Sequence, residues 1–261
     1  MIPKIIHYCW FGGNPLPELA VKCIESWKKY CPDYEIKEWN ESNFDLNMFP
    51  YAKEAYENRK FAFVTDVVRL YALYTEGGIY MDTDVEVLKP LDEYLKHNAF
   101  SGFEDEKLVP TGIMASEKGG IWAKENLEYY NDRHFVKEDG SFDMTTNVNT
   151  ITNYMLSKGL VQNNTYQDFP NLITLYPKDY FCPKSYKDGK IYLTSNTATI
   201  HHFAGSWLTN KNAYYHQLKR KYSYLPNRLS YIIAAIGSSI KYEGFFGACK
   251  NFLKLNFKYH R

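Results

Sequence analysis

The chain holds no Cys-x-x-Cys pair, and its five cysteines (Cys9, Cys23, Cys31, Cys182 and Cys249) are an odd number. That pattern excludes a disulfide scaffold and a cysteine-built zinc site, and it fits a reducing compartment. No stretch approaches the roughly 20 apolar residues of a membrane-spanning helix. The opening MIPKIIHYCWFGG also lacks the long apolar segment of a signal peptide. Internal repeats and low-complexity linkers are missing, and so is any strong net charge, which is +1. Together these absences predict a cytoplasmic globular protein. Its 261 residues suit one domain of ordinary size, or one domain with a helical appendix.

The even charge balance hides a split. Residues 207–261 carry ten Lys or Arg against one acid, Glu243, whereas the rest of the chain carries 21 basic and 29 acidic residues. An acidic body with a basic tail suggests that the two parts meet different partners. Aromatic residues are plentiful at 17%, with 24 Tyr and 16 Phe. A tyrosine has an apolar face and a polar tip, so it serves a core as readily as a stacking surface for sugars or bases.

Along the chain, IPKIIHYCW (2–10) reads as a first strand, ended by Gly12, Gly13 and Pro15, and Leu16 to Tyr30 reads as a helix with Leu19, Cys23, Ile24 and Trp27 on one face. YEIKEW (34–39) alternates as a second strand, and further helix is expected between Met48 and Asn58. KFAFVTDVVRLYALYTEGG then gives a buried helix ended by Gly77-Gly78, and IYM leads into Asp82-Thr83-Asp84 before VEVLKPL emerges. IYL (191–193) is read as a further short strand. Strands and helices alternating with short turns predict an α/β architecture with a largely parallel sheet, whose ligands gather beyond the carboxyl ends of the strands.

Three groups of residues carry chemistry. Asp82 and Asp84 share side-chain parity on an extended chain, and two hard carboxylates at a strand end suit Mg²⁺ or Mn²⁺ shared with substrate phosphates. Taken alone, D-x-D also fits a solvated turn or a helix N-cap. Asp66 and Arg69 lie three apart on one face of an apolar helix. They are either an ion pair that locks the fold, or a carboxylate for sugar hydroxyls beside a guanidinium that orients it or reaches a phosphate. In TIHHFAGSW (199–207), His201 and His202 point to opposite sides if extended, so one is free to ligate a metal while the other packs. Trp10, beside the glycines that end the first strand, is either core or a platform for a base.

TDVVRLYALYTEGGIYMDTDVEVLKPL resembles the signature of family 32 glycosyltransferases, the sugar-binding region with the D-x-D motif shared with the glucosylating domains of large clostridial toxins. IPKIIHYCWFGG is similar to that family's first strand, and YPKDYFCPKSY with IHHFAGSW to its closing segments. The resemblance covers residues 1–208. It implies a GT-A fold, Rossmann-like in its nucleotide half, with 209–261 as a basic, mainly helical extension. It further implies a nucleotide-sugar donor, UDP-sugar favoured, with Mn²⁺ or Mg²⁺, and a retained anomeric configuration. Position by position, Trp10 is similar to the residue that stacks on the base, and Asp66 and Arg69 to the pair that holds the donor sugar. Tyr80, Asp82 and Asp84 resemble the motif facing ribose, diphosphate and metal, with Asp84 the favoured direct ligand. His201 resembles the further metal contact, and Ser206 and Trp207 the residues that close over the diphosphate. The chain departs from the pattern at Thr145-Thr146-Asn147, where many members carry Thr-Gly-Pro, so no acceptor contact is assigned there.

The resulting expectation is a metal-dependent hexosyltransferase acting on a glycan acceptor, lipid-linked or free, in capsular or other surface polysaccharide synthesis, with no nucleic-acid partner. The tail from residue 213 on sets LSYIIAAIGSSI and ACKNFLKLNF among lysines. That pattern suits an interfacial helix at the inner face of the membrane, or a helical pair with a solvated lysine face. Two alternatives remain. A haloacid-dehalogenase-like phosphatase needs Thr or Ser four residues after its first Asp, and Glu86 stands there. A non-catalytic carbohydrate-binding protein accounts for the tyrosines but not for Asp66, Arg69, Asp82 and Asp84 together.

Overall fold

A computed structural model of the chain describes residues 1–185, 188–205 and 210–258. It divides into two compact units, Met1–Lys184 with Tyr192–Phe203, and Ser185–Ile191 with Ala204–Arg261.

The first unit opens with the apolar segment near the N-terminus, which forms β1 (Ile5–Cys9), and α1 (Glu18–Tyr30) follows, burying Ala20, Cys23, Ile24 and Trp27. β2 (Glu35–Trp39), α2 (Pro50–Glu57) and α3 (Phe61–Thr75) come next. Proline stands at the first position of α2, where its missing N–H costs nothing. α3 is apolar nearly all round and buried accordingly, with Asp66 and Arg69 as its buried charges. The chain then runs through β3 (Gly78–Met81), β4 (Val85–Val87), β5 (Ala99–Gly102) and β6 (Ile113–Ser116). α4 (Ile121–Glu128), α5 (Asn147–Ser157), β7 (Gln167–Phe169), β8 (Ile173–Tyr176), α6 (Lys178–Phe181) and β9 (Thr199–His201) complete the unit.

Seven strands form one sheet in the order β2-β1-β3-β6-β5-β8-β7, and β4 pairs with β9 in a small second sheet. β1 is parallel to β2 and β3, and β5 to β8, while β6 and β7 are antiparallel to their neighbours. Five of the seven strands therefore point one way. The α/β expectation is borne out, with one reversed strand inside the sheet and one at its edge. One apolar cluster joins residues of α2, α3, α4 and α5, and a second joins residues of α1, β4 and α6, among them Trp27 and Phe181.

The turn between α3 and β3 depends on glycine. Gly77 and Gly78 have φ of 72° and 113°, and a Cβ on Gly78 would lie 2.6 Å from the Ile5 carbonyl oxygen. His7 fixes the same turn from inside the core. Its Nε2–H donates to the Gly77 carbonyl (2.7 Å), while Nδ1 accepts from the Trp39 indole (3.1 Å). Burial lowers the pKa of His7, in keeping with this neutral tautomer.

One sequence expectation fails here. Residues 191–193 form no strand, and all three side chains are exposed. Strand propensity alone is a weak guide where no sheet edge offers a partner. The partner strand for β4 lies later, at Thr199–His201.

The second unit contains α7 (Asn210–Lys221) and α8 (Asn227–Lys258). Within α8 the backbone leaves helical geometry at Gly244, with φ 74° and ψ −179°. Leu218 of α7 packs against Gly237 of α8, where any Cβ would stand 2.7 Å from the leucine methyl.

Candidate active site

The site grows from the carboxyl end of β3. β1 and β3 run parallel with Ile6 beside Ile79 and His7 beside Tyr80, which brings Trp10 and Asp82–Asp84 to the same end of the sheet. Asp82 and Asp84 do not lie on an extended strand as the parity argument assumed. β3 ends at Met81, Val85 N–H donates to the Asp82 carbonyl (2.9 Å), and a turn carries Thr83 and Asp84. Both carboxylates still converge on one group, because β9 brings His201 opposite Val85. His201 Nε2 lies 3.3 Å from Asp84 and 3.9 Å from Asp82. Ligand atoms of the three residues all lie within 4.8 Å of one another.

The two histidines part as alternation requires. His201 is buried and faces the aspartates, whereas His202 places Nε2 2.8 Å from Glu86 and donates its backbone N–H to the Asp84 carbonyl (2.9 Å). His202 thus braces the turn that bears Asp84. Phe203 follows in the left-handed region at φ 51°, its ring centroid 4.1 Å from that of His201. A bulky residue held there marks a constrained segment. Burial on its own would lower the pKa of His201. The charge and hydrogen bond of Asp84, with a contribution from Cys182, outweigh it and hold the imidazole protonated well above its ordinary range. A protonated histidine between two carboxylates marks a position built for positive charge.

Arg69 braces the floor of the site. Nε donates to the Thr65 carbonyl (3.0 Å), NH2 to the Thr65 hydroxyl (2.9 Å) and NH1 to the Thr111 carbonyl (2.9 Å). Its remaining donors face Asp66 and Asp82, each at 3.4 Å. Three of the five guanidinium N–H groups are thus bonded to Thr65 and Thr111, and the charge is shared between the two carboxylates. The guanidinium also lies 4.6 Å from the ring centre of Tyr80. Tyr80 itself is buried and donates its hydroxyl to Asp82 (2.7 Å), so its polar tip serves the carboxylate from behind.

Asp66 sits at the start of α5. Its carboxylate accepts the backbone N–H of Asn147 (3.1 Å), and the Asn147 side-chain amide donates to the Asp66 carbonyl (2.6 Å). A carboxylate at a helix N-terminus meets both free N–H groups and the positive end of the dipole. Burial nonetheless dominates and pushes the Asp66 carboxyl up to about 6, against the pull of Arg69 and the Asn147 amide. The Asn147 side-chain oxygen is buried and has no hydrogen-bond partner. Sequence reasoning left Asn147 without a role, and no local spacing links it to Asp66, 81 positions away.

The loop between β5 and β6 supplies three further groups that the sequence did not flag. Thr111 accepts from Arg69. The Gly112 carbonyl accepts from Asp82 N–H (2.8 Å), and a Cβ on Gly112 would lie 2.6 Å from His201 Nδ1. Glu104 lies within electrostatic reach of His201 and Asp82, and burial raises its pKa.

Trp10 is half-buried against the second apolar cluster, with its indole N–H on the Asn14 carbonyl (2.5 Å). Asp66, Arg69, Tyr80, Asp82, Asp84 and His201 thus form one linked network, and Trp10 stands at the same sheet end. Ser206 and Trp207 lie outside the described residues.

The donor set fits a divalent cation. Two carboxylates with one imidazole match Mn²⁺ well and Mg²⁺ less closely, because magnesium prefers oxygen alone. Asp82, Asp84, Asp66 and Glu104 also outnumber the cations Arg69 and His201.

Residues 17–101 match the family described as the glycosyltransferase sugar-binding region containing the DXD motif. The chain is 33% identical over 122 residues to inositol phosphoceramide mannosyltransferase 3 of Schizosaccharomyces pombe, covering 45% of this chain and 34% of that protein. It is 27% identical over 212 residues to an uncharacterized glycosyltransferase of Acanthamoeba polyphaga mimivirus, covering 77% of this chain and 82% of that one. Among solved structures, the PaToxG glycosyltransferase aligns with a TM-score of 0.46 at 18% identity, over 60% of this chain and 70% of that one. The chain spans only about a third of the length of the fungal mannosyltransferase. The matched segment holds Asp66, Arg69, Tyr80, Asp82 and Asp84 in one run of sequence, the same residues that meet at the end of β3. Residues 17–101 are therefore similar to the glycosyltransferase sugar-binding region containing the DXD motif.

Proposed function

We propose that the protein is a metal-dependent retaining glycosyltransferase that moves a hexose from a nucleotide-sugar, UDP-sugar favoured, to a glycan acceptor. One observation carries this reading: the Asp82–Asp84–His201 cluster, joined through Asp82 and Arg69 to the buried carboxylate of Asp66. A cation site beside a carboxylate suited to sugar hydroxyls is the pairing that a sugar diphosphate needs.

Asp84, Asp82 and His201 would hold the cation, Mn²⁺ favoured, which would supply Lewis-acid stabilisation for the negative charge that develops on the diphosphate. Asp66 accepts hydrogen bonds from the sugar hydroxyls, and the orphaned Asn147 oxygen accepts another. Arg69 and Tyr80 act by holding Asp66 and Asp82, which is an orientation effect. Trp10 stacks on the base. The anomeric C–O bond to phosphate breaks as the acceptor oxygen bonds the same face. The acceptor proton passes to the departing phosphate oxygen. The acceptor is a growing capsular or other surface glycan, carried on lipid at the inner face of the membrane.

The test is a panel of nucleotide-sugars screened for Mn²⁺-dependent hydrolysis, repeated with Asp84→Asn. Release of one nucleoside diphosphate is expected, falling at least about a hundredfold in the variant. Activity that survives both Asp84→Asn and chelation would overturn the proposal.

A further inference from the structure

We infer that the second unit docks on an anionic lipid surface, with Phe245 and Phe246 as an apolar wedge and the surrounding lysines as its electrostatic contacts. The inference deepens, and for its purpose rests on, the reading that the acceptor is membrane-borne. Its observations belong to the second unit alone.

The kink at Gly244 comes first. Its φ of 74° with ψ of −179° lies in a region open essentially to glycine, so the helix breaks there by construction. Immediately after the break, Phe245 is 71% and Phe246 88% exposed. Two adjacent phenylalanines this open are costly in water unless something apolar receives them. Ile240 and Tyr242, just before the break, are also exposed.

Charge identifies the occupant. Residues 207–261 hold ten Lys or Arg and one acid. That acid, Glu243, pairs with Lys211 at 2.6 Å. Beyond the phenylalanines the chain continues in helix to Lys258, and the sequence places Lys250, Lys254 and Lys258 four residues apart among Phe, Leu, Ala and Cys. Lysines recurring among apolar residues are the sequence pattern of a helix lying in a headgroup layer, where anionic lipid attracts the lysines. A second copy of the chain would cover the phenylalanines but would bring two strongly positive surfaces together. No helix among the described residues is long and apolar enough to cross a membrane.

The experiment is flotation of the full chain with vesicles of phosphatidylcholine, with or without about one third phosphatidylglycerol, at low and high salt. The wild-type chain is expected to float with the anionic vesicles alone and to be released by salt. Phe245→Ser with Phe246→Ser should weaken partitioning at least about tenfold, while Phe245→Leu with Phe246→Leu keeps it. Lys250→Gln, Lys254→Gln and Lys258→Gln together should weaken it about a hundredfold. Equal flotation by the wild-type chain and the double serine variant overturns the wedge. Equal binding to neutral vesicles overturns the charge argument. A serine variant that turns a dimer into a monomer without changing flotation assigns the surface to a second copy instead. Circular dichroism checks that each variant is folded, and vesicle-free, Mn²⁺-dependent donor hydrolysis should be unchanged in all of them. If wild type and variants alike lack hydrolysis, the transferase reading fails while the docking result stands by itself.

Discussion

Gly112→Ala tests the arrangement of the cation site more sharply than removing a ligand does. The backbone at Gly112 is not in the left-handed region, so alanine meets no conformational penalty there. What it meets is His201: the new methyl would lie 2.6 Å from Nδ1, 2.7 Å from Cε1 and 3.1 Å from Cγ. The imidazole must retreat by roughly 0.5–1 Å to reach ordinary van der Waals contact. Its Nε2 begins 3.3 Å from Asp84 and 3.9 Å from Asp82, so a shift of that size disturbs the spacing of the three ligand atoms. We expect Mn²⁺ affinity, measured by titration calorimetry, to fall about 10–100-fold, as when a supporting group around a metal is disturbed. Overpacking should also cost about 1–3 kcal/mol in urea unfolding. The decisive arm is a double-mutant cycle with His201→Ala. If the clash with the ring is the cause, Gly112→Ala should cost almost nothing once the ring is gone. An equal cost in both backgrounds would refute the reasoning, and so would unchanged Mn²⁺ affinity in the single variant.

Three more outcomes follow from the same network. Arg69→Met leaves Asp66 and Asp82 without their shared cation, and should cost about 3–5 kcal/mol of stability in urea unfolding; a loss below about 1 kcal/mol would mean that the brace is dispensable. Asp66 keeps its proton in the metal-free fold up to about 6, whereas an unfolded carboxyl releases it near 4. The folded state therefore binds more protons between those values, and stability should fall on the order of 3 kcal/mol as pH rises through that window; Asp66→Asn should flatten this fall in pH-dependent melts. His201 is held protonated well above its ordinary range, so the cation must displace a proton, and Mn²⁺ affinity should rise with pH, with proton release visible as buffer-dependent heats. Affinity independent of pH would remove His201 from the ligand set.

What the sequence made legible was local. Asp66 with Arg69, and Asp82 with Asp84, sit at helical and turn spacing inside one run of residues, so chemistry and proximity could be read together. The histidine pair was legible through alternation, which sends His201 to the aspartates and His202 to Glu86. Asn147, Thr111, Gly112 and Glu104 were not legible, because topology delivers them. Nothing near Asn147 says that its helix begins against Asp66, and nothing near Gly112 says that a ring from β9 needs its empty space. The same limit explains the reversed β6 and the exposed 191–193: apolar periodicity reports a buried face, not the direction or partner of a strand. Arg69 was legible as a site residue but not as a brace held by the Thr65 and Thr111 oxygens, since Thr111 reaches it only through the fold.

The two-stranded pairing of β4 with β9 carries a consequence in time. Asp84 and His201 are more than a hundred residues apart, and this short ladder brings them together. During synthesis the whole seven-stranded sheet can form before His201 leaves the ribosome, and until then the aspartates face one another without their third ligand. On the proposed reading, competence to bind the cation would be the last thing the first unit acquires. A nascent chain stalled before Thr199 should be compact and protease-resistant yet blind to Mn²⁺, so metal affinity works as a clock for the closing of that final strand.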